Sequence, residues 1–409
     1  MSIQRILSDL ESHRQSYEEL YKHFHRNPEL SLQEYKTADR VESELKGFGI
    51  EEVLRIGKTG IVAILRNGDG PVVAMRGDID ALPMAERSGK DYAAEGVTQV
   101  DETTGKETPV AHTCGHDFHT VCLLGATRAL HDHRDDWSGT FIAVFQPGEE
   151  NAAGAKAMVE AGIVDKVPRP DVYLGQHVLG TLPGGAVGIR SGPLFSAAAS
   201  IEITLYGKGS HGSMPNLGVD PIVLGSAIVT RLQTIVAREV SPRATAVVTV
   251  GSFHAGTKSN IIPDSAVLQL NTRAFDREVE KQLHEGIERI VRAECEAARS
   301  PKEPEFRYYD QYPLTSNHEE PTVKVRAAFD AFFGDDSVDM APVPASEDFS
   351  VIPDAFGCPY TYWGLGGFRD WQNAPGNHSP FFAPDIQPTL DRGIEAIVVA
   401  ASPWLVGER

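Results

Sequence analysis

The chain has 409 residues, of which 41% are hydrophobic and 23% charged, the composition of an ordinary protein with a sizeable core. Its length exceeds the roughly 150 residues typical of one domain, so we expect two domains. The formal net charge is −19 and no basic run offsets it, which argues against nucleic acids and anionic membranes as partners.

The N-terminal segment has the pattern of an amphipathic surface helix. In MSIQRILSDLESHRQSYEELYKHF the apolar residues recur at helical spacing, without a signal-peptide core or a cleavage site. No stretch of the chain approaches the ~20 apolar residues of a membrane span. The 4 cysteines are scattered, which fits reduced thiols better than a disulfide framework. We therefore expect a cytoplasmic protein.

Short apolar runs alternate with helical patterns and end in polar clusters. The runs lie at 71–76, 139–146, 171–176 and 358–364. This alternation predicts an α/β fold whose strands are buried in a sheet. Ligands of such sheets bind just beyond the carboxyl ends of the strands, which is where the polar clusters fall.

The pattern changes between about residues 194 and 310. Strand-like and helical segments follow one another there in the β-α-β-β-α-β order of a ferredoxin-like unit. Strand material for the first sheet resumes afterwards. We therefore predict a discontinuous first domain of residues 1–193 and 311–409, with a second domain, residues 194–310, inserted into it.

The stretch HTCGHDFHT, residues 112–120, concentrates soft and titratable side chains in front of a helix. Cys114 and His116 are separated by one glycine and can point into one pocket. Thiolate and imidazole are the usual donors for zinc-like ions. His112 and His119 either contact the metal too or support and pack the site. Taken alone, the cluster could also be a helix start with a small buried cysteine.

A pair of adjacent carboxylates, Glu149 and Glu150, follows a predicted strand. Such a pair would be costly to bury without a cation, because the two charges repel each other. With a metal present, one glutamate can bind the ion while its neighbour acts as general base on a water. The alternative is a solvated turn.

Two further imidazoles lie at the ends of apolar runs, His177 in GQHV and His378 in GNHSP. A lone histidine in such a place is more often a core residue. With Cys114, His116 and Glu150, however, they make five ligands. That number is too large for one tetrahedral ion with an open position and suits two ions that share a bridging group.

Asp78 and Asp80 end another predicted strand, in RGDIDALP. Carboxylates beside a metal site commonly accept a hydrogen bond from the second nitrogen of a ligating imidazole. We expect this supporting role for both residues, and capping of the strand end is the alternative.

The inserted domain contributes three candidate residues. His211 lies in the loop GKGSHGSMP and could reach toward an oxyanion, or be an ordinary surface histidine. Asn260 and Arg273 could bind a substrate carboxylate, since a guanidinium matches a carboxylate in a two-pronged fork. A salt bridge of Arg273 to Asp276 is the alternative.

Taken together, these motifs resemble those of the hippurate hydrolase and indole-3-acetyl-amino-acid hydrolase group of metallo-amidohydrolases, relatives of aminoacylase and glutamate carboxypeptidase. Within this group the chain is most similar to bacterial N-acyl-amino-acid amidohydrolases such as N-acyl-glutamine aminoacylase. The resemblance covers essentially the whole chain. It is carried by RGDIDALP (76–83), HTCGHDFHT (112–120), QPGEE (146–150), GQHV (175–178), GSHGSMP (209–215), NTRAFD (271–276), SEDFS (346–350) and GNHSP (376–380).

The resemblance implies a dinuclear site in a mixed-sheet catalytic domain. Cys114 would bridge the two divalent ions. His116 and His177 would complete one ion, and Glu150 and His378 would complete the other. The wider relatives have an aspartate in place of the bridging cysteine. Thiolate favours zinc, with manganese, cobalt or nickel as alternatives.

The resemblance also implies roles for the remaining candidates. Glu149 would be the general base. Residues 194–310 would form a lid that also makes a homodimer or a higher homo-oligomer, and His211 would reach the partner subunit's active site. Asn260 and Arg273 match residues that bind the substrate carboxylate. The expected reaction is hydrolysis of the amide bond of hippurate-like or N-acyl-glutamine-like substrates, which releases a carboxylic acid and a free amino acid.

Other activities stay open at this point. A metallo-dipeptidase or carboxypeptidase would differ only in what occupies the acyl side. In a thiol hydrolase, Cys114 would be the nucleophile and His116 its base. A metal-dependent binding protein would require a pocket without a general base. The polar segment 95–110 is predicted to be a surface loop near the site, without assigned chemistry.

Overall fold

The computed structural model describes residues 2–407, which divide into two compact units. The first comprises residues up to Gly192, Ser316–Ala341 and residues from Asp348 onward. The second comprises Pro193–Thr315 and Pro342–Glu347. The second unit therefore also takes in a short later segment that lies outside the predicted inserted domain. The catalytic and lid roles of these units stay predictions.

Helices and strands alternate along most of the chain. In chain order the α-helices are α1 (Ser2–Ile6), α2 (Leu10–Arg26), α3 (Tyr35–Gly47), α4 (His116–Asp132), α5 (Gly154–Glu160), α6 (Ile163–Lys166), α7 (Pro221–Thr234), α8 (Arg277–Ala297), α9 (Glu319–Phe333), α10 (Val351–Phe356) and α11 (Ile386–Leu405). A π-helical turn, Ile235–Glu239, extends α7. Short 3₁₀ turns lie at Arg134–Asp136, Pro215–Leu217, Gly334–Asp336 and Trp371–Asn373.

The strands differ widely in length. In chain order they are β1 (Val53–Ile56), β2 (Gly60–Asn67), β3 (Val72–Asp78), β4 (Thr98–Val100), β5 (Glu107–Pro109), β6 (Gly139–Gln146), β7 (Val172–Pro183), β8 (Val187–Ile189), β9 (Gly192–Phe195), β10 (Ala197–Tyr206), β11 (Ser210–His211), β12 (Ala246–Ala255), β13 (Ile261–Ile262), β14 (Ser265–Ala274), β15 (Glu305–Tyr312), β16 (Thr315–Asn317), β17 (Ser337–Asp339) and β18 (Tyr360–Phe368).

A mixed eight-stranded sheet forms the centre of the first unit, in the order β1-β2-β6-β3-β7-β18-β8-β17. The inner strands β6, β3, β7 and β18 run parallel to one another. The sequences of these strands are apolar because helices cover the sheet. In β6, for example, every residue is buried. The carboxyl ends of these parallel strands lie at one edge, so the polar clusters meet there. The predicted α/β fold with a mixed sheet is confirmed.

An antiparallel four-stranded sheet, in the order β12-β14-β10-β15, forms the second unit. Helices α7 and α8 pack against this sheet, which gives the element order β-α-β-β-α-β. Asp220 caps α7 by accepting the N–H groups of Ile222 and Val223, with Pro221 as the first helical residue. Burial alternates along β14, as expected for a sheet with one covered face.

The segment 95–110 is more ordered than a loop, because β4 and β5 pair in it as an antiparallel hairpin. The hairpin is attached to the chain that precedes α3. Gln99 Oε1 accepts a hydrogen bond from the Leu30 N–H at 2.7 Å, and Gln33 Nε2 donates to the Val100 carbonyl at 3.0 Å. Within the described residues, no helix combines the length and hydrophobicity that crossing a bilayer requires.

Candidate metal centre

The five predicted metal ligands lie at the carboxyl edge of the central sheet. Cys114 and His116 stand at the start of α4, Glu150 follows β6, His177 lies in β7 and His378 in the loop after β18. The ligand atoms of Cys114, His116 and His177 lie within 4.8 Å of one another. Those of Cys114, Glu150 and His378 do so too. The structure thus brings the five residues together as two donor groups that share one sulfur atom.

The distances inside this cluster resemble those between donors on one metal ion. Cys114 Sγ lies 3.6 Å from His177 Nε2. In the other donor group, Glu150 Oε2 lies 3.2 Å from His378 Nε2. Two donors bonded to one tetrahedral ion at ~2.0–2.3 Å are separated by roughly 3.3–3.7 Å. The side chains of each donor group are therefore spaced for one ion, and the two groups adjoin where Glu150 Oε1 lies 3.7 Å from His116 Nε2.

Two ligand atoms of the cluster are buried without a hydrogen bond. Within residues 2–407, His116 Nε2 and Glu150 Oε1 have no hydrogen-bond partner. An unsatisfied buried polar atom costs about 1–3 kcal/mol. A divalent cation would satisfy both atoms, and a set of thiolate, imidazole and carboxylate donors suits zinc and its neighbouring transition metals. The residues present therefore fit a pair of such ions.

Gly115 explains how Cys114 and His116 face the same pocket. It is the N-cap residue of α4 and has φ +86°. Glycine adopts this left-handed conformation without a steric penalty. A Cβ at this position would lie 2.2 Å from Val178 Cγ1. The turn between the two ligands therefore depends on the absence of a side chain.

Asp80 selects the tautomer of His116. The Nδ1–H of His116 donates to the Asp80 carbonyl at 3.0 Å and to its Oδ1 at 3.2 Å, which leaves Nε2 toward the other donors. Asp80 Oδ2 accepts from the Ser31 hydroxyl at 2.7 Å and the Glu150 N–H at 3.0 Å. Burial alone would raise the pKa of Asp80, but the hydrogen bond and charge of His116 outweigh burial and lower it. These contacts are those of a carboxylate that orients a ligating imidazole.

Asp78 contacts a different imidazole. Its carboxylate accepts hydrogen bonds from Arg76 Nη1 at 2.6 Å and from His119 Nδ1. Its Oδ2 lies 3.5 Å from His116 Nε2. Burial alone would raise the pKa of Asp78, but the charge of Arg76 and the interactions with His116 and His119 together outweigh burial and hold the pKa well below the ordinary value. Arg76 also reaches Asp348 at 3.1 Å, so one buried guanidinium serves two buried carboxylates.

The main-chain groups of Val178 contact three side chains of the site. Its carbonyl accepts the Nδ1–H of His177 at 2.8 Å and the Nδ2–H of Asn377 at 3.0 Å. Its N–H donates to His119 Nε2 at 2.9 Å. Because a carbonyl can only accept, His177 carries its proton on Nδ1 and presents Nε2 to the cluster. Asn377 also donates to the Cys114 carbonyl at 3.2 Å, which holds the loop after β18 against the start of α4.

His378 is the most exposed of the five predicted ligands. Its side chain is 56% exposed, whereas that of Glu150 is 6% exposed. Hydrogen bonds to Cys114 and Glu150 raise the pKa of His378 to about 10. A metal ion would have to displace this proton, because only the neutral imidazole can coordinate. Among the five predicted ligands, His378 is therefore the one with a large solvent-exposed surface.

Glu149 is buried beside the cluster. Its Oε2 lies 4.0 Å from His116 Nε2, and it lies within 4.8 Å of ligand atoms of both His116 and Glu150. A buried carboxylate stabilises the turn that contains Glu149, since the Gly148 N–H donates to Glu34 Oε1 at 2.8 Å. Burial and the nearby charge of Asp80 raise the pKa of Glu34 to about 7. Glu149 is thus close enough to exchange a proton with a water in the cluster, and its role as base stays a prediction.

Comparison with known proteins identifies the family. Residues 74–401 match the sequence profile of peptidase family M20/M25/M40. The chain belongs to this family. N-acetyl-L-cysteine deacetylase of Bacillus subtilis (strain 168) is 36% identical over 366 residues, which are 89% of this chain and 82% of that protein. Hippurate hydrolase of Campylobacter jejuni is 34% identical over 354 residues, which are 85% of this chain and 87% of that protein.

A solved structure supports the assignment. A dinuclear metal-binding peptidase of the M20 family from Bacillus subtilis has a TM-score of 0.78 and 29% sequence identity to this chain, and the match covers 96% of this chain and 98% of that one. The predicted resemblance to the hippurate hydrolase-like group is therefore confirmed.

The remaining predicted residues of this M20 chain lie in the second unit. His211, in β11, is exposed, and its Nδ1 accepts a hydrogen bond from the Ser213 N–H at 3.2 Å. The neutral ring therefore carries its proton on Nε2, where it can serve as a donor. The Asn260 carbonyl accepts from the Gly212 N–H at 2.8 Å, so Asn260 lies beside the His211 loop.

Arg273 lies in β14 rather than in that loop. Its Nη1 donates to the Pro344 carbonyl and to the Ser346 hydroxyl, both at 2.9 Å. Asp276, the alternative partner considered from the sequence, instead caps α8 by accepting the N–H groups of its first turn. Arg273 therefore ties β14 to the later segment of the second unit, which main-chain hydrogen bonds also join to Leu194 and Ser196.

Several supporting residues of the M20 site were not assigned from the sequence. Arg76 stands in the apolar run PVVAMR, and an arginine is almost never fully buried unless it is paired. That rule predicts a buried carboxylate partner but does not say that it is Asp348. Asn377 and Glu34 carry no comparable signal, because most of their partners are main-chain groups and the other partner of Glu34 is the hydroxyl of Thr59.

Proposed function

We propose that the chain is a metal-dependent amidohydrolase that cleaves the amide bond of N-acyl amino acids, releasing a carboxylic acid and a free amino acid. The observation that carries this proposal is the pair of donor groups that share Cys114 Sγ. Glu149 lies buried beside them. Relatives named N-acetyl-L-cysteine deacetylase and hippurate hydrolase support this substrate class.

Five residues would hold two divalent ions. Cys114 would belong to both donor groups, with His116 and His177 in one group and Glu150 and His378 in the other. When bound, the ions supply Lewis acidity, which polarises the amide carbonyl and makes a water easier to deprotonate. Zinc suits the thiolate, and manganese, cobalt and nickel accept the same donors.

The other proposed roles belong to side chains of the chain itself. Glu149 takes a proton from the attacking water and delivers it to the leaving amine. His211 of the partner subunit donates from Nε2 to the developing oxyanion, a contact worth roughly 3–4 kcal/mol. Arg273 and Asn260 bind the carboxylate of the amino-acid part of the substrate.

Replacing Glu149 with glutamine tests the base. Glu149→Gln keeps the shape of the side chain but removes its ability to accept a proton, so turnover should fall by about 10²–10⁴-fold. Metal content, measured by mass spectrometry, should stay at the wild-type level. Activity is measured on N-acetyl, N-benzoyl and long-chain N-acyl amino acids and on dipeptides. The matched control is Glu160→Gln, an exposed glutamate at the end of α5.

Three results would contradict this scheme. Wild-type turnover in Glu149→Gln would remove Glu149 from the base role. Activity that survives chelation but is abolished by alkylation of Cys114 in the metal-free protein would favour the thiol hydrolase. A strong preference for dipeptides in the substrate panel would favour the metallo-dipeptidase.

We also propose that the second unit forms a homodimer. Strand β12 is at the edge of its sheet, and among the described residues only β14 pairs with its main chain. Two valines of this unit are exposed, Val247 in β12 itself at 42% and Val223 in α7 at 66%. An exposed strand edge with apolar side chains is a template for pairing. Antiparallel pairing of β12 with the same strand of a second copy would bury both edges around a two-fold axis.

A cytoplasmic location is proposed on the state of the cysteines. All four, Cys114, Cys122, Cys295 and Cys358, are buried free thiols. Reduced thiols persist in the cytosol and are rarer in oxidising compartments.

A further inference from the structure

His119 belongs to the cysteine- and histidine-rich segment, yet both of its ring nitrogens are occupied by protein groups. Nδ1 is hydrogen-bonded to the carboxylate of Asp78. Nε2 accepts the N–H of Val178 at 2.9 Å. The side chain is 1% exposed, so water does not compete for these contacts.

These two partners determine the protonation of the ring. A main-chain N–H can only donate, so Nε2 of His119 must be unprotonated. A carboxylate accepts, so the proton is on Nδ1. His119 is therefore a neutral imidazole with a defined tautomer, and neither nitrogen is left for a metal ion. This contact set separates His119 from His116, whose Nε2 has no hydrogen-bond partner among residues 2–407.

The ring also packs against two of the proposed ligands. It stacks on His116, with ring centroids 5.4 Å apart and planes at 28°. It meets His177 edge-on, with centroids 4.6 Å apart and planes at 77°. The rings of His116 and His177 also meet edge-on, with centroids 5.8 Å apart, so His119 completes a cluster of three imidazoles.

We propose that His119 is a positioning residue that sets the orientation of His177. The carboxylate of Asp78 is hydrogen-bonded to the His119 ring, and the ring accepts the main-chain N–H of Val178. The carbonyl of the same residue, Val178, accepts the Nδ1–H of His177 at 2.8 Å. Asp78 is itself held by Arg76, so this series of contacts starts at a buried ion pair. The inference rests on the proposed ligand role of His177, and it assigns no metal bond to His119.

Two substitutions distinguish the effect of the hydrogen bonds of His119 from the effect of its side-chain volume. His119→Leu keeps a buried side chain of similar size but removes both hydrogen bonds. His119→Gln can restore them, because the amide N–H can donate to Asp78 while the amide oxygen accepts from Val178. The matched control is His131→Leu, in the same helix and with a side chain that is 22% exposed.

The first measurement is the affinity of the metal-free protein for cobalt. Calorimetry and the absorption band of the cobalt–thiolate bond both detect the binding. His119→Leu should weaken cobalt binding about 10–100-fold. His119→Gln should recover most of this loss, and His131→Leu should bind as the wild type does. A wild-type protein that fails to bind two cobalt ions would contradict the proposed function. A His119→Leu protein that binds them with wild-type affinity would overturn the positioning role alone.

The second measurement requires no metal. Nitrogen-15 NMR of the metal-free wild type should show His119 and His177 both protonated on Nδ1. In His119→Leu, His177 should lose its single tautomer, and in His119→Gln it should regain it. A His119 ring protonated on Nε2, or an unchanged His177 in the leucine variant, would overturn the inference. If the leucine variant does not fold, the wild-type tautomers and the cobalt affinity of the glutamine variant decide the question.

Discussion

Among single residues, His25 is a buried histidine that contacts two buried carboxylates, one of them next in sequence to the proposed ligand His116. Its Nδ1 lies 2.6 Å from Asp117 Oδ2 and its Nε2 lies 3.0 Å from Glu86 Oε1, and all three side chains are 1% exposed. Burial alone would lower the pKa of His25, but the hydrogen bonds to the two carboxylates outweigh it and raise the pKa to about 9. An imidazolium therefore bridges α2, the loop after β3 and the first turn of α4.

This bridge predicts a pH dependence of stability. The folded pKa of about 9 lies above the ordinary value of 6.5, so the stabilisation is complete below about pH 6.5 and is lost as the pH rises through about 9. Across this window the free energy of unfolding should fall by up to roughly 3 kcal/mol more in the wild type than in His25→Gln. Urea titrations at several pH values measure the difference in slope.

His131→Gln, a change at a histidine of α4 whose side chain is 22% exposed, is the control and should follow the wild type. A His25→Gln protein whose stability changes with pH in parallel with the wild type would show that His25 is not the charged group.

Residue identities could be predicted from the sequence only where the chemistry is local. The donors Cys114 and His116 are recognisable because soft ligands two residues apart are rare. His112 and His119 could not be separated, because the distinction depends on Val178, far along the chain. The structure buries His112 without a hydrogen bond among residues 2–407, and burial lowers its pKa to about 4. It belongs to neither donor group that shares the sulfur.

At the scale of elements, the turn before α4 is the most demanding feature. It combines the left-handed Gly115 with a close approach to β7. Replacing Gly115 with alanine should cost about 1–2 kcal/mol for the conformation alone. The contact of the new Cβ with Val178 adds to this cost and should move the two ligands on either side of the turn.

Thermal unfolding and metal content of Gly115→Ala measure both effects. The matched control is Gly68→Ala, because Gly68 also has a positive φ, +78°, but its Cβ would meet nothing within 4 Å. The control should lose a little stability and keep its metal. Equal behaviour of the two variants would show that the contact with Val178 has no influence on the site.

Elements were predictable where burial leaves an unambiguous pattern. The long inner strand β6 reads as one apolar run because both of its faces are covered. The short strands β8 and β17 were not predicted, because three residues carry too little pattern. The hairpin of β4 and β5 was also missed, because it is mostly exposed and its polar composition is that of a loop.

For the whole molecule, the proposed homodimer leads to a test of assembly. The wild type should have the mass of a dimer by light scattering. The double variant Val223→Glu, Val247→Glu should be a monomer, since like charges would meet across the two-fold axis. The control is Val323→Glu on α9, where the valine is 58% exposed but lies outside the second unit. A monomeric wild type would contradict the proposal.

Mixing two inactive variants tests whether His211 acts in the partner subunit's site. His211→Ala and Glu149→Gln are denatured together and refolded, which makes roughly half of the dimers mixed. Each mixed dimer then has one site with both groups intact, so about a quarter of the wild-type activity should return. Without any recovery, His211 would have to act within its own subunit or not at all.

The chain's change of pattern did not indicate that residues 342–347 belong to the second unit. This segment is held by hydrogen bonds to Arg273, Leu194 and Ser196, and such long-range contacts leave no periodic trace in the sequence.

Sharing one sulfur between two donor groups couples their evolution. A change of Cys114 to an oxygen ligand would move both positions toward harder cations in a single step. A substitution of Cys114 would therefore change the metal preference of both donor groups together. A substitution of any of the other four ligands would change the preference of one donor group alone.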